Sequence, residues 1–160
     1  MNDQLWQSVR ARVSCETCGT QWSAISNMKE GLRIGLVGEE RQTVERAHLI
    51  GFMGSEVPGV LATSWLVWFM EHAARNAILP YMDEDEDSVG TEIQIQHSAP
   101  TPEGLDVVCT ARVIRIDGRL ITFSIEARDN REQIGRALHK RAVVQRARFA
   151  RTVARKMGTG

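Results

Sequence analysis

The longest apolar segment of the chain is "VLATSWLVWFMEH", residues 60 to 72, in which nine of thirteen residues are apolar. The pattern continues to Leu79 and stops at Pro80, which cannot continue a helix. We therefore predict one long helix over residues 60–79. Because its apolar residues cover more than one face, we expect other structure to enclose it. Glu71, a carboxylate inside this run, needs an explanation.

After the acidic run "DEDED" the period of the apolar pattern changes from about 3.6 residues to 2, which predicts strands. In the stretch from Thr91 to His97, the side chains of Ile93, Ile95 and His97 share one face, and polar side chains share the other. Three further strands are predicted, over residues 105–116, 120–128 and 133–145, and a short helix can follow them. Asp117-Gly118 predicts the hairpin between the first two.

Two shorter strand-like segments precede the helix, over residues 31–37 and 42–48, with a turn expected at Gly38. Short strands, one enclosed helix and then an antiparallel meander predict an α+β fold. The order of elements favours the hotdog architecture, in which a curved antiparallel sheet wraps around one long central helix. Hotdog domains usually pair so that two sheets join, so we expect a homodimer.

Length and charge limit the classes of function. With 160 residues, the chain is long enough for one domain with a proper core. Its 20 basic and 20 acidic side chains cancel, which argues against nucleic acid or an anionic membrane as partner. The sequence has neither an apolar run of membrane-spanning length nor a secretion signal at its start, so we expect a cytoplasmic protein.

The three cysteines do not form a disulfide framework. Cys15 and Cys18 make a single CxxC motif, and a structural zinc site needs two more closely spaced ligands, which Cys109 and the scattered histidines do not supply. We favour two incidental thiols over a metal-binding appendage, and we expect no metal site.

Charged runs and the CxxC motif indicate how the chain is divided. From Lys140 to the end there are seven basic residues and no acidic one. Such a run is usually a solvated face, and its other interpretation is a basic rim for the phosphates of coenzyme A. We predict an N-terminal extension of uncertain structure over residues 1–27, one domain over 28–150, and a basic tail over 151–160.

The central part of the chain also resembles a known family. The stretch "ATSWLVWFMEHAARNAILPYMDEDEDSVGTEIQIQHSAPTPEGL", residues 62 to 105, is similar to the corresponding part of the fluoroacetyl-CoA thioesterase family of hotdog acyl-CoA hydrolases. The similarity extends without a gap over about residues 43 to 148, through "EQIGRALHKRAVV". The residues that carry it are Thr63, Glu71, Pro80-Tyr81, Gly90-Thr91, His97 and Arg141.

This resemblance implies an acyl-CoA thioesterase that acts on a small or medium acyl group and needs no cofactor. It implies a triad of Thr63, Glu71 and His97. Glu71 would be general base or nucleophile, His97 would transfer protons with it, and Thr63 would orient the thioester or the water. Gly90 would offer its backbone N–H to the oxyanion. Arg141 would bind a substrate carbonyl or a phosphate, with structural ion pairing as an equal alternative.

The spacing of the triad raises a geometric problem. Eight residues of helix separate Thr63 from Glu71 by about 12 Å of rise. The two side chains can border one groove, but they cannot touch without long side-chain reach or a second subunit. His97, on the apolar face of its strand, is the expected partner of Glu71.

One region departs from the family pattern. Where a family member has phenylalanines that close over the acyl group, this chain has Gly54 and Val57. We expect a smaller lid with Val57 at the substrate, which weakens the case for fluoroacetyl selectivity. The alternative function is a hotdog module that binds an acyl-CoA without hydrolysing it, or a hotdog enzyme of another reaction type.

Overall fold

The computed structural model describes residues 31–51, 54 and 56–158. Two short 3-10 turns, Arg46–His48 and Leu79–Tyr81, precede and follow the long helix. Within those residues the elements are β1 (Val37–Thr43), α1 (Thr63–Ile78), β2 (Glu86–His97), β3 (Asp106–Asp117), β4 (Leu120–Asp129), β5 (Gln133–Gln145) and α2 (Arg146–Met157).

The five strands form one antiparallel sheet in the order β1-β3-β4-β5-β2. Strands β1 and β2 are therefore its two edges. The predicted hairpin is confirmed: Asp117 pairs with Leu120, and Gly118 adopts φ +57° in the turn between β3 and β4. This left-handed conformation is one that glycine adopts at little cost.

Helix α1 packs across one face of the sheet, mainly against β1 and β3. The contact buries alternate residues of β3 and β4, as expected for strands with one face on a core. Each large side chain removed from water contributes about 1.5 to 3 kcal/mol. The buried residues of α1 are Leu66, Phe69, Met70, Ala73, Ala74, Ala77 and Ile78.

The expected turn at Gly38 is wrong, because Gly38 lies inside β1. A Cβ atom there would overlap the backbone nitrogen of Ala77 in α1. The glycine allows the strand and helix backbones to approach closely, and it does not mark a turn. The two strands predicted over 31–37 and 42–48 are in fact one strand followed by a 3-10 turn.

The expectation of an enclosed helix holds for one side of α1 only. On the opposite side Trp68 is 43% exposed. The helix also starts later than predicted, because Val60 and Leu61 form isolated β-bridges with Pro102 and Leu49. Those bridges require an extended backbone, so the first helical residue is Thr63.

Strand β2 begins earlier than the alternating pattern indicated, inside the acidic run. Glu86 is 2% exposed and accepts a hydrogen bond of 2.9 Å from Arg119 Nη2. Asp87 accepts two hydrogen bonds from Arg75, from Nε at 2.9 Å and from Nη2 at 2.8 Å. Ion pairs with arginine stabilise these carboxylates within the sheet. An acidic run without such partners would remain a solvated loop.

The predicted helix after the last strand is confirmed as α2, which carries most of the predicted basic tail. Residues 1–27 with the CxxC motif lie outside the described residues, so the domain boundaries stay a prediction. In the part of the chain that the structure describes, no helix combines the length and apolarity that a membrane crossing requires.

Candidate active site

Helix α1 and strand β2 carry four of the predicted site residues, in two groups. Thr63 and Glu71 are separated by about 12 Å along α1. Gly90 and His97, seven residues apart on β2, are separated by about 23 Å. Thr63 contacts His97, and Glu71 contacts Gly90. We call Thr63 with His97 the threonine end of the site, and Glu71 with Gly90 the glutamate end.

At the threonine end, Thr63 Oγ1 and His97 Nδ1 share a hydrogen bond of 3.0 Å. Thr63 is the first residue of α1. Ala62 before it is the N-cap residue, and no side chain forms a capping hydrogen bond there. The hydroxyl therefore serves His97 and not the helix terminus. Thr63 is exposed, so a molecule in solvent can reach this hydroxyl.

Burial lowers the pKa of His97, and a backbone hydrogen bond with Ala99 opposes that shift. The imidazole is thus neutral at pH 7. Its Nε2 atom is enclosed and has no hydrogen-bond partner among the described residues. An unsatisfied buried nitrogen is rare in folded proteins and is often found where chemistry takes place. Nδ1 is the ring nitrogen that shares a hydrogen bond with Thr63.

At the glutamate end, the side chain of Glu71 is 38% exposed. Its Oε1 lies 3.9 Å from His139 Nε2, and its Oε2 lies 3.7 Å from Arg141 Nη1. A Cβ atom on Gly90 would overlap Oε1 of Glu71. The missing side chain at residue 90 therefore makes room for the carboxylate. The acidic residue in the apolar helix has an open side and a cationic partner.

Arg141 is 4% exposed, and its N–H groups donate hydrogen bonds to other groups of the protein. Its Nε donates to Ser88 Oγ at 3.0 Å, and Nη2 donates to the Ser88 carbonyl at 2.7 Å. Nη1 donates to the Glu71 carbonyl at 3.3 Å. Burial lowers the pKa of Arg141, and Glu71 acts against that shift. The observed geometry is internal ion pairing, and a substrate contact of Arg141 stays a prediction.

His139 was not among the residues singled out from the sequence. It is 1% exposed, and its Nδ1 lies 2.8 Å from the Glu92 carbonyl. A carbonyl only accepts, so Nδ1 carries the proton and Nε2 accepts from Arg141 Nη1 at 3.4 Å. A signal was present: His139 lies two residues before Arg141 on an alternating strand, hence on the same face.

The backbone beside Glu71 is irregular. The pairing of β2 with β5 shifts register between Gly90 and Glu92, so a β-bulge lies at the glutamate end. Bulges are common next to active sites, where they redirect groups out of the regular ladder. Val57 lies in the segment before α1 and is 41% exposed. Its proposed contact with substrate stays a prediction.

Within one chain the three predicted catalytic residues do not come together. Glu71 contacts His139 and Arg141, whereas His97, its expected partner, contacts Thr63. The described residues contain no group of three His, Cys, Asp or Glu that could hold a metal ion. Burial raises the pKa of Cys109 to about 12, so this thiol is not a nucleophile. The available chemistry is a carboxylate, a β-bulge in the backbone beside it, and a separate hydroxyl with an imidazole.

Comparison with known proteins identifies the family of the chain. The family model described as fluoroacetyl-CoA-specific thioesterase matches residues 44–147. The fluoroacetyl-CoA thioesterase of Streptantibioticus cattleyicolor is 34% identical over 139 residues, which cover 83% of this chain and 100% of that protein.

Solved structures extend the comparison to three dimensions. A crystal structure of a mutant of the fluoroacetyl-CoA-specific thioesterase FlK has a TM-score of 0.74 at 33% identity, and the match covers 80% of this chain and 99% of that one. A hot-dog-like protein from Thermanaerovibrio acidaminovorans has a TM-score of 0.70 at 21% identity, with 77% and 91% covered. At that identity the second likeness shows the fold alone.

The sheet around one helix is thus the predicted hotdog fold, and the protein is a thioester hydrolase of the hotdog class. Within that class the chain belongs to the fluoroacetyl-CoA-specific thioesterase family.

Proposed function

We propose that this protein hydrolyses acyl-CoA thioesters with a small or medium acyl group, at a site that two chains complete. The observation that carries the proposal is the Glu71 carboxylate, which is open to solvent on one side and held beside Gly90 and Arg141 on the other. A carboxylate fixed next to a backbone from which a side chain is missing can meet a thioester at its carbonyl carbon.

Two routes use this carboxylate. As general base, Glu71 takes a proton from water, the hydroxide adds to the carbonyl carbon, and the C–S bond breaks to release the thiolate. As nucleophile, Glu71 itself adds to the carbonyl carbon, the thiolate leaves, and water hydrolyses the resulting anhydride. In both routes the thiolate receives a proton and the products are a carboxylic acid and a thiol.

Both routes develop negative charge on the carbonyl oxygen, which needs a hydrogen-bond donor. We assign this role to the backbone N–H of Gly90. The bulge next to Gly90 and the absence of a side chain there support the assignment, because they let a substrate approach the main chain.

We assign completion of the triad to a second copy of the chain. Strand β2 is an edge strand of twelve residues, and in the described part of the chain it pairs only with β5. A long open edge is a ready template for a further strand. If two β2 strands pair about a two-fold axis near Ile93, the Gly90 region of one chain lies near the partner's His97.

The open side of α1 supports the same homodimer. Trp68 is 43% exposed on this side, and its indole stacks on the ring of His72 with centroids 3.7 Å apart. An exposed aromatic cluster next to an open sheet edge is typical of a surface that another chain covers. In such a dimer, Glu71 of one chain would work with the partner subunit's Thr63 and the partner's His97.

The acyl group and the location in the cell are finer proposals. The curated relative and the solved FlK structure are named for fluoroacetyl-CoA. Val57 and Gly54 leave this chain with a smaller lid than the resemblance implies, so we propose a broader range of small and medium acyl groups. The basic helix α2 is a candidate rim for coenzyme A phosphates. A cytoplasmic location stays a prediction from the sequence.

The test is thiol release from a panel of acyl-CoAs, from acetyl and fluoroacetyl to longer and aromatic chains. We expect turnover of at least one member, and a loss of about 10³-fold in kcat for Glu71→Gln, which keeps the shape and removes the charge. Glu126→Gln, the same change at an exposed position on β4, is the matched control. A folded protein that binds the esters and releases no thiol would instead be a binding module.

A further inference from the structure

Behind Glu71 lies a group of buried polar side chains to which the reaction gives no task so far. We call Ser88, His139 and Arg141 the arginine cradle; they are 5%, 1% and 4% exposed. Burying polar and charged groups costs free energy unless each finds a partner. Here that cost arises directly behind the proposed catalytic carboxylate, which suggests a functional reason for it.

Ser88 fixes the plane of the Arg141 guanidinium. Its hydroxyl accepts from Nε at 3.0 Å and its carbonyl accepts from Nη2 at 2.7 Å, so one residue holds two neighbouring donors. The remaining donor, Nη1, then points toward Glu71, 3.7 Å from Oε2 and 3.3 Å from the backbone carbonyl. A planar fork held in this way has little freedom to turn from the carboxylate.

His139 holds the same Nη1 from the other side. Its Nδ1–H donates to the Glu92 carbonyl at 2.8 Å, which leaves Nε2 as an acceptor for Arg141 at 3.4 Å. A protonated ring would place a second positive charge against the guanidinium. Burial lowers the pKa of His139, and the nearby Arg141 lowers it further, so the ring is neutral and accepts.

The other charges in this region do not replace Arg141. On β5, Arg141 and His139 face Glu71. Between α1 and β2, Arg75 and Asp87 form a two-bond ion pair whose charges cancel. Because Arg75 is paired with Asp87, the guanidinium that lies beside the Glu71 carboxylate is that of Arg141, with Nη1 at 3.7 Å from Oε2.

We propose that His139 and Ser88 are positioning residues that lock Arg141 against Glu71, so that the carboxylate stays aimed along Gly90. The inference rests on the proposed thioesterase function and deepens it. Neither residue touches the substrate; each acts through Arg141.

Substitutions at residue 139 separate positioning from simple packing. In His139→Asn, the amide nitrogen takes the place of Nδ1, so the bond to Glu92 remains and the acceptor for Arg141 is lost. In His139→Gln, the amide oxygen takes the place of Nε2 and restores that acceptor. Ser88→Ala removes the hydroxyl that holds Nε. Lys140→Gln is the matched control, since Lys140 lies between the two cradle positions of β5 and bonds Glu92 Oε2 at the surface.

We expect His139→Asn and Ser88→Ala to lower kcat about tenfold or more with KM changed less than twofold. His139→Gln should recover most of kcat. A purely structural role predicts a different pattern: Asn and Gln lose activity alike, in step with thermal stability. That result would overturn the proposal.

A second readout needs no turnover. The Nε–H proton of Arg141, assigned by its disappearance in Arg141→Lys, should exchange slowly with solvent in the parent and faster in Ser88→Ala and His139→Asn. Equal exchange in all three would contradict the cradle even if the enzyme is active. If the parent releases no thiol while the exchange differs as expected, the proposed function fails and the positioning geometry stands.

Discussion

The two ends of α1 make opposite use of their polar residues. At the glutamate end, a buried arginine and a buried histidine hold a carboxylate that is open to solvent on one side. At the threonine end, an exposed hydroxyl and a partly buried imidazole share one hydrogen bond, and the other ring nitrogen has no partner among the described residues.

This difference separates the part of the site that one chain builds alone from the part that it leaves incomplete. The glutamate end is charged, so it needs compensation inside the same fold, and β5 supplies it. The threonine end is neutral, and in the proposed homodimer a second chain and the substrate complete it. The separation of about 12 Å along α1 keeps the two ends from meeting within one chain.

The largest expected effect after loss of Glu71 comes from Gly90→Ala. The added methyl overlaps Glu71 Oε1, so the carboxylate must move from its position. We expect kcat to fall by about 10²-fold, since small displacements of a catalytic group are costly. Gly51→Ala, where an added methyl meets no atom within 4 Å, is the control. Full turnover in Gly90→Ala would mean that the reaction does not depend on the position of the Glu71 carboxylate.

The threonine end should respond less strongly. Thr63→Val keeps the shape and removes the hydroxyl that bonds His97 Nδ1, whereas Thr63→Ser keeps the hydroxyl. We expect Val to lower kcat about 10-fold to 100-fold and Ser to stay within a few fold of the parent. Steady-state thiol release measures both. Equal values for Ser and Val would mean that the hydroxyl has no part in the reaction.

The smallest expected effect is on the pH dependence of stability, to which both ends contribute. Burial lowers the pKa of His97 and, with Arg141, that of His139. The unfolded chain therefore binds more protons below about pH 6.5, and the free energy of unfolding must fall as pH decreases from 7. The slope is at most about 1.4 kcal/mol per pH unit for each group, and less with solvent screening.

Urea unfolding at pH 7 and pH 5.5 measures this change. The lowered pKa values of Asp87 and Glu92 act in the same direction, but mainly near and below the ordinary pKa of a carboxyl group, about 4, so the chosen window reports chiefly on the histidines. His139→Gln should show a smaller drop than the parent. A parent protein that is equally stable or more stable at pH 5.5 would contradict the neutral assignment of both rings.

The sequence predicted the fold well wherever periodicity was strong. The last strand has the predicted bounds of 133–145, and the Asp117-Gly118 signal marked the hairpin. The prediction failed where a contact between residues that are distant in sequence determines the local structure. Gly38 is explained by the approach of Ala77, and the start of β2 is explained by Arg75 and Arg119, none of which a local pattern can show.

The candidate site was predictable in its residues and not in their partners. Glu71 stood out as a carboxylate in an apolar helix, and the resemblance pointed to Thr63 and His97. The pairing of Glu71 with His139 and Arg141 depends on the register of β2 with β5, which includes a bulge. One sequence does not reveal that register, so His139 was missed.

The most direct test of the shared site is to combine two inactive chains. Heterodimers of Glu71→Gln and His97→Ala, each chain with its own affinity tag, are purified through both tags and assayed for thiol release. If the partner's His97 serves Glu71, each heterodimer has one intact site and one doubly altered site, so we predict about half of the parent activity. If every site uses residues of one chain only, each site of the heterodimer lacks one catalytic group. Heterodimers as inactive as the Glu71→Gln and His97→Ala homodimers would therefore contradict the shared site.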